Sequence, residues 1–215
     1  MTRSDELFRS GRASRVSFPG AIAIASRNEG KLREIAAICA DWPVRWVTVR
    51  DHPDDWPDVE ETGSTYLENA LLKARAVAEF TGEAALADDS GIEVDALGGG
   101  PGPRSARYAG EDSSEERNLS ALLSALKGVP TSGRTARYRC IATLVLPDGS
   151  ERSAEGVCEG TLTAKPRGSG GFGYDPIFVP AGWDVTMAEL PAAEKDRISH
   201  RGRAFRAMRV LLAED

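Results

Sequence analysis

Residues 135–163 constrain this chain more than any other stretch. Thr135 to Leu146 and Glu151 to Thr163 both read as strands, and Pro147-Asp148-Gly149-Ser150 between them is a tight-turn sequence. A hairpin this long needs a sheet to join and a layer to cover it. The start of the chain has a different rhythm. Ala21 to Ala25 is an apolar run of strand length, and Ser26 to Lys31 (SRNEGK) leads into Leu32, Ile35, Ala36 and Cys39, spaced as one helix face. Val44 to Val49 reads as a further strand. Strand–helix alternation early and a hairpin later imply an α/β protein with a mixed central sheet flanked by helices.

The other elements follow from local signals. Thr65-Tyr66-Leu67-Glu68 fits a capping box, in which Thr and Glu satisfy each other's free backbone N–H groups. Leu67, Ala70, Leu71, Ala74, Val77 and Ala78 then form an apolar stripe, with Lys73 at its edge. Ala84 to Ala87 is a short apolar strand that ends in Asp88-Asp89-Ser90-Gly91. Gly98 to Pro103 is irregular, and Ser114 to Leu126 is a helix closed by Gly128 and Pro130. A glycine-rich loop, Gly168 to Gly173, precedes Tyr174-Asp175-Pro176 and the apolar Ile177-Phe178-Val179. Ser199 caps a last helix whose core face is Phe205, Met208, Leu211 and Leu212. A division near Pro130 is the alternative to one domain.

The bulk properties exclude several classes. A net charge of −6 argues against a broad nucleic-acid footprint, although local Lys and Arg can still hold a small anion. No segment approaches the roughly 18 apolar residues of a membrane span. Cys39, Cys140 and Cys158 form neither a C-x-x-C pair nor a metal pattern, and a reduced, intracellular setting is expected. Residues 1–20 read as a polar tail, and 21–215 as a single domain.

The candidate chemistry lies in four groups. Ser26, Asn28 and Lys31 at a strand-to-helix junction offer donors to an anion, and they equally describe an ordinary capped helix. Glu60 and Glu61, with Asp88 and Asp89, offer carboxylates to a hard cation such as Mg²⁺; solvated turns give the same pattern. Lys73, Lys195, His200 and Arg201 can neutralise phosphate or donate to a carbonyl, although a histidine at a helix start is often only a cap. Phe172, between Gly170-Gly171 and Gly173-Tyr174-Asp175, can stack on a flat ring, or can be a core residue in a turn.

In this order, SRNEGK (26–31), EETGSTYLENALLKA (60–74), ALADDSGIEVDALGGGPG (85–102), SARYAGED (105–112), GGFGYDPIF (170–178) and ISHRG (198–202) resemble the inosine triphosphate pyrophosphatase family. The resemblance covers nearly the whole chain after residue 20. It implies two lobes with an active-site cleft between them, and hydrolysis of non-canonical purine nucleoside triphosphates (ITP, dITP, XTP) to monophosphate and pyrophosphate. It also implies roles. Ser26, Asn28, Lys31 and Lys73 would hold phosphates, with Ser90 beside the substrate. Glu61 and Asp89 would bind Mg²⁺, and Asp89 would be the general base. Phe172 would stack on the purine, while Gly173, Tyr174 and Asp175 shape its pocket. Lys195, His200 and Arg201 would read the base. A cytoplasmic homodimer acting on no nucleic acid or membrane completes the expectation. Arg104 departs from the family, which commonly has an aromatic residue there. The competing readings are a general nucleotide phosphatase and a nucleotide-binding regulator without catalysis.

Overall fold

The computed structural model describes residues 18–213. Six strands form one sheet: β1 (Ala21–Ile24), β2 (Arg45–Val47), β3 (Ala84–Val94), β4 (Thr135–Val145), β5 (Glu151–Leu162) and β6 (Phe178–Pro180). Their spatial order is β2-β1-β3-β4-β5-β6. β2, β1 and β3 run parallel, and β3-β4, β4-β5 and β5-β6 pair antiparallel. The helices are α1 (Glu29–Ile38), α2 (Tyr66–Thr81), α3 (Glu115–Ala125), α4 (Ala192–Ile198) and α5 (His200–Ala213). This is the expected mixed α/β sheet flanked by helices.

Three apolar clusters cover the sheet. α1 and α5 bury Leu32, Ile35, Phe205 and Met208 against Ile22, Leu86, Cys140 and Leu144. α2 covers the opposite face with Ala70, Ala74 and Val77, packed on Ala23, Ala85 and Trp56. Beyond them, α3 and the residue 174–190 segment build a second lobe on Ile92, Val94, Tyr138 and Cys158. β3, β4 and β5 run through both lobes.

The departures from expectation are local. β3 does not end at Ala87: it pairs with β4 from Ala85 to Val94, so Asp88, Asp89 and Ser90 stand inside a strand. Leu67 (41% exposed) and Leu211 (37% exposed) lie outside the core, because each sits at the rim of its helix's apolar face. α4 had no strong sequence signal. Of the expected tail, residues 1–17 lie outside the described residues, and Phe18 packs edge-on against Trp42 at 5.5 Å. Ser199 caps α5 as expected, accepting from the Gly202 amide at 3.0 Å.

One glycine sets the position of α5. A β-carbon on Gly156 would lie 2.1 Å from the His200 carbonyl oxygen and 2.4 Å from the Ala204 nitrogen. Only the bare backbone of β5 lets the start of α5 lie this close to the sheet. That approach brings His200 and Arg201 over Cys140, the register partner of Gly156, and so over β3.

Candidate active site

The site begins where β1 stops and β3 continues. The last bond between them runs from the Ala25 amide to the Leu86 carbonyl, at 2.8 Å. Two residues further on, the Asp88 carbonyl points out of the same, now open, edge. Lys73 Nζ donates to it at 2.8 Å and Lys31 Nζ at 3.3 Å. Two helices from opposite faces of the sheet thus deliver their lysines to one point.

The alternation of a strand separates the two aspartates. Asp88 faces α5, where its carboxylate accepts from Arg201 Nη2 at 2.9 Å and lies 3.3 Å from Lys31 Nζ. Its side chain has no solvent exposure. Burial opposes its charge, but Arg201, Lys31 and Lys73 outweigh burial and hold its carboxyl far below the usual range. Asp88 is therefore a fixed counter-ion for the cations, and its pairing with Asp89 in sequence does not extend to the site. Glu60 likewise drops out, being exposed to solvent beside Glu61.

Asp89 faces α2. Its Oδ2 accepts from Asn69 Nδ2 at 3.2 Å, and its Oδ1 lies 3.7 Å from Lys73 Nζ. Glu61 Oε1 meets the same ammonium at 2.6 Å. The two carboxylates share one lysine. Burial raises the Asp89 carboxyl, Glu61 adds to this, and Lys73 and Lys31 only partly offset it. For Glu61, burial is outweighed by Lys73, Lys31 and Arg107, which hold it below the usual value.

The opposite end of the cleft is aromatic and cationic. Lys195 Nζ pairs with Asp175 and, at 2.6 Å, with Glu34. Arg201 pairs with Asp88 and Glu34 and donates to Ser90 Oγ at 2.8 Å. Lys195 Nζ stands 4.9 Å, and the Arg201 guanidinium 5.6 Å, from the centre of the Phe172 ring. His200 stacks on Tyr138 with centroids 4.5 Å apart and planes 8° from parallel. Burial, with Arg201 and Lys195 nearby, pushes the imidazole well below its usual value, which favours the neutral form. Lys195 and Arg201 pair with carboxylates, whereas His200 Nδ1 has no partner among the described residues.

The aromatic loop is held by the polar groups around it. The Phe172 amide donates to Asp175 Oδ2 at 2.9 Å, and the Gly173 amide to Glu115 Oε2 at 2.8 Å. Tyr174 is buried and donates to the Ser105 carbonyl at 2.8 Å. The Phe172 ring packs on the first turn of α1, where a β-carbon on Gly30 would lie 3.0 Å from its Cδ1. That turn is capped by Asn28, whose Oδ1 accepts from the Lys31 amide at 3.0 Å while its own amide donates to Ser26 Oγ at 3.2 Å. The loop is thus both a capped helix start and a ring of donors.

Both ends of the cleft border one cavity of about 470 Å³. Ser26, Asn28, Lys31, Glu61, Lys73, Asp89 and Ser90 line it, and so do Phe172, Gly173, Tyr174, Asp175, Lys195, His200 and Arg201. Sequence reasoning missed Glu34, Asn69 and Arg107. The first two had a readable signal. Glu34 follows Lys31 by three residues on α1, and Asn69 precedes Lys73 by four on α2, so each shares a helix face with a residue already singled out. Arg107 donates to the Glu61 carbonyl at 3.1 Å across 46 residues of sequence, which no local spacing reveals.

A cleft with this polarity defines a class: a receptor for a flat ring joined to a polyanion. The chain belongs to the Ham1 family, whose profile it matches over residues 22–211. A dITP/XTP pyrophosphatase of Geobacter sulfurreducens is 51% identical over 184 residues, covering 86% of this chain and 92% of the relative. One from Streptomyces coelicolor is 51% identical over 189 residues, covering 87% and 94%. Among solved structures, a HAM1 protein from Coxiella burnetii superposes with a TM-score of 0.81 at 40% identity, covering 91% of this chain and 99% of that one.

Proposed function

We infer that this chain is a nucleoside-triphosphate pyrophosphatase. It hydrolyses non-canonical purine nucleoside triphosphates (dITP, XTP and ITP) to the monophosphate and pyrophosphate. The observation that carries this reading is the convergence of Glu61 and Asp89 on a single lysine in the cavity that Phe172 and His200 close at its other end. The first pole suits a phosphate under attack, and the second suits a purine ring.

The donor set fits Mg²⁺. Two carboxylates share one ammonium, and the Asp89 carboxyl is raised by burial and by the charge of Glu61, so the pair has anionic capacity to spare. A hard divalent ion takes one or two carboxylates and completes its shell with water and phosphate oxygens. Glu61 and Asp89 would hold it, and when bound it would supply Lewis-acid neutralisation of phosphate charge. The chain's own groups do the rest. Asp89 accepts a proton from the attacking water. Lys31 and Lys73, fixed by the Asp88 carbonyl, face the charge of the phosphates, with Ser26 and Asn28 as further donors.

At the ring pole, Phe172 stacks and His200 reads the 6-position. A neutral imidazole can donate to the 6-oxo group of hypoxanthine or xanthine, and that donor meets no acceptor on adenine's amino group. Sites that read a base by hydrogen bonds discriminate by about 10⁴ or more. Lys195 and Arg201 contribute mainly by fixing the pocket's shape and charge.

Pyrophosphate release from inosine, xanthosine, guanosine and adenosine triphosphates, each with and without Mg²⁺, tests this reading. Mg²⁺-dependent release with inosine and xanthosine substrates far ahead of adenosine is expected. Equal rates on all four would remove the base selectivity, and orthophosphate as the product would remove the pyrophosphatase reading. A second outcome concerns Phe172. Gly30→Ala places a β-carbon 3.0 Å from its ring and 3.1 Å from Asn28 Oδ1. It is expected to raise KM for inosine triphosphate about 5-fold or more by displacing the stacking ring, and an unchanged KM would contradict the stacking role.

The same reading takes the enzyme as a single-domain, cytoplasmic homodimer that acts on free nucleotides. The net charge of −6 supports free nucleotides over nucleic acid. No described helix is long and apolar enough to cross a membrane.

A further inference from the structure

Tyr138 stands in none of the motifs read from the sequence, yet it lines the cavity and is buried (7% exposed). It lies on β4 two residues before Cys140, so both side chains share one face of the sheet. Cys140 Sγ donates to Asp88 Oδ2 at 3.8 Å, under Arg201. Tyr138 meets the neighbour of Arg201, His200, and Asp175 lies at its hydroxyl end.

The backbone of His200 is fixed by the bare surface of Gly156, but that contact does not set the rotation of the imidazole. A histidine ring is usually oriented by a hydrogen bond on one of its nitrogens. Here Nδ1 has no partner among the described residues. What meets the ring is Tyr138, with centroids 4.5 Å apart and planes 8° from parallel. Tyr138 is itself wedged: the buried Phe178 ring lies 4.8 Å from it, tilted by 60°. Phe178 in turn rests on Gly160 of β5, where a β-carbon would come 2.7 Å from its Cζ. A line of ring contacts thus runs from the sheet to the imidazole.

We propose that Tyr138 is the positioning residue for base selection: its ring sets the plane of the His200 imidazole, and so the direction in which that group meets the 6-position of a purine. The inference rests on the base reading proposed above. An imidazole N–H lies in the plane of its ring, and a hydrogen bond weakens steeply once its angle falls below about 120°. Tilting the ring takes the donor off a 6-oxo group and removes the advantage of that group over a 6-amino group. Stacking on Phe172, which every purine offers, is untouched. Tyr138 acts through His200 and has no part in the chemistry at phosphorus.

The test compares wild type with Tyr138→Leu, Tyr138→Phe and His200→Ala. Calorimetric titrations with inosine and adenosine monophosphates give the base preference without turnover, and kcat/KM on the two triphosphates gives it with turnover. Tyr138→Leu is expected to lower the inosine-to-adenosine ratio about 10-fold or more, and Tyr138→Phe, which keeps the flat ring, should restore most of it. Inorganic pyrophosphate has no base and should bind Tyr138→Leu within about 3-fold of wild type. The chain has two histidines, His52 and His200, so His52→Gln assigns the imidazole proton signals. Those of His200 should lie upfield in wild type and Tyr138→Phe, from the ring current of the stacked partner, and move downfield in Tyr138→Leu. A ratio lost in His200→Ala but kept in Tyr138→Leu would overturn this inference alone. Equal losses for pyrophosphate and the two monophosphates would make Tyr138 a support of the fold and overturn it too, as would a Tyr138→Phe ratio as low as that of Tyr138→Leu. A ratio kept in His200→Ala would instead defeat the base reading on which the inference rests.

Discussion

Asp89→Asn is expected to fold as the parent does and to lose at least ~10²-fold in turnover. The amide keeps the shape of the carboxylate but cannot take a proton from water. Asp89 is placed for that task by Asn69, which donates to one of its oxygens at 3.2 Å, and by the Ser90 amide, which donates to the other at 3.0 Å. Its environment suits a base, because burial and the neighbouring charge of Glu61 raise its carboxyl. The sign is direct: as pH falls through that raised value, Asp89 gains a proton and stops accepting one. In the metal-free protein, the Asp89 carboxyl should therefore titrate above the ordinary Asp value of about 3.9, as carboxyl NMR shifts followed against pH would show. Glu61→Gln should move that metal-free titration to lower pH by removing the like charge. Turnover of Asp89→Asn close to wild type would take the general-base role away from Asp89.

Asp88→Ala is expected to act on stability as strongly as its neighbour acts on turnover. The substitution strands Arg201, whose side chain is 1% exposed, with Glu34 as its remaining carboxylate. Removing one partner of a buried ion pair typically costs about 3–5 kcal/mol, against a total stability of about 5–15 kcal/mol. Urea denaturation should show the loss as a lower midpoint. Because the folded-state carboxyl is held far below its ordinary value, its contribution is fully present above the unfolded value of about 3.9 and declines only as pH falls further. A midpoint unchanged from wild type would mean that Arg201 finds its charge balance elsewhere.

The two aspartates also mark what could be read from sequence. Side by side in ALADDSG they look equivalent. Strand alternation makes one a buried counter-ion and the other a group on the cleft, but that alternation was visible only once β3 was known to continue to Val94. The strand was cut short in the sequence because polar residues usually end an apolar run. Its continuation depends on pairing with β4, about 50 residues away. The hairpin, the capped start of α2 and the core face of α5 were legible because each rests on spacing within a few residues. The ion network was not: Arg201 to Glu34 spans 167 residues and Lys195 to Asp175 spans 20. The family resemblance implies that Lys195, His200 and Arg201 read the base. In the structure both cations pair with carboxylates, and His200 Nδ1 has no partner among the described residues.

The central claim is that the water beside Asp89 attacks the α-phosphorus of the bound triphosphate. Turnover of inosine triphosphate in ¹⁸O-labelled water, followed by mass spectrometry of both products, tests it most directly. The expected result is one labelled oxygen in inosine monophosphate and none in pyrophosphate. Label in pyrophosphate, or in released orthophosphate, would put the attack at another phosphorus and contradict the assignment of the cleft.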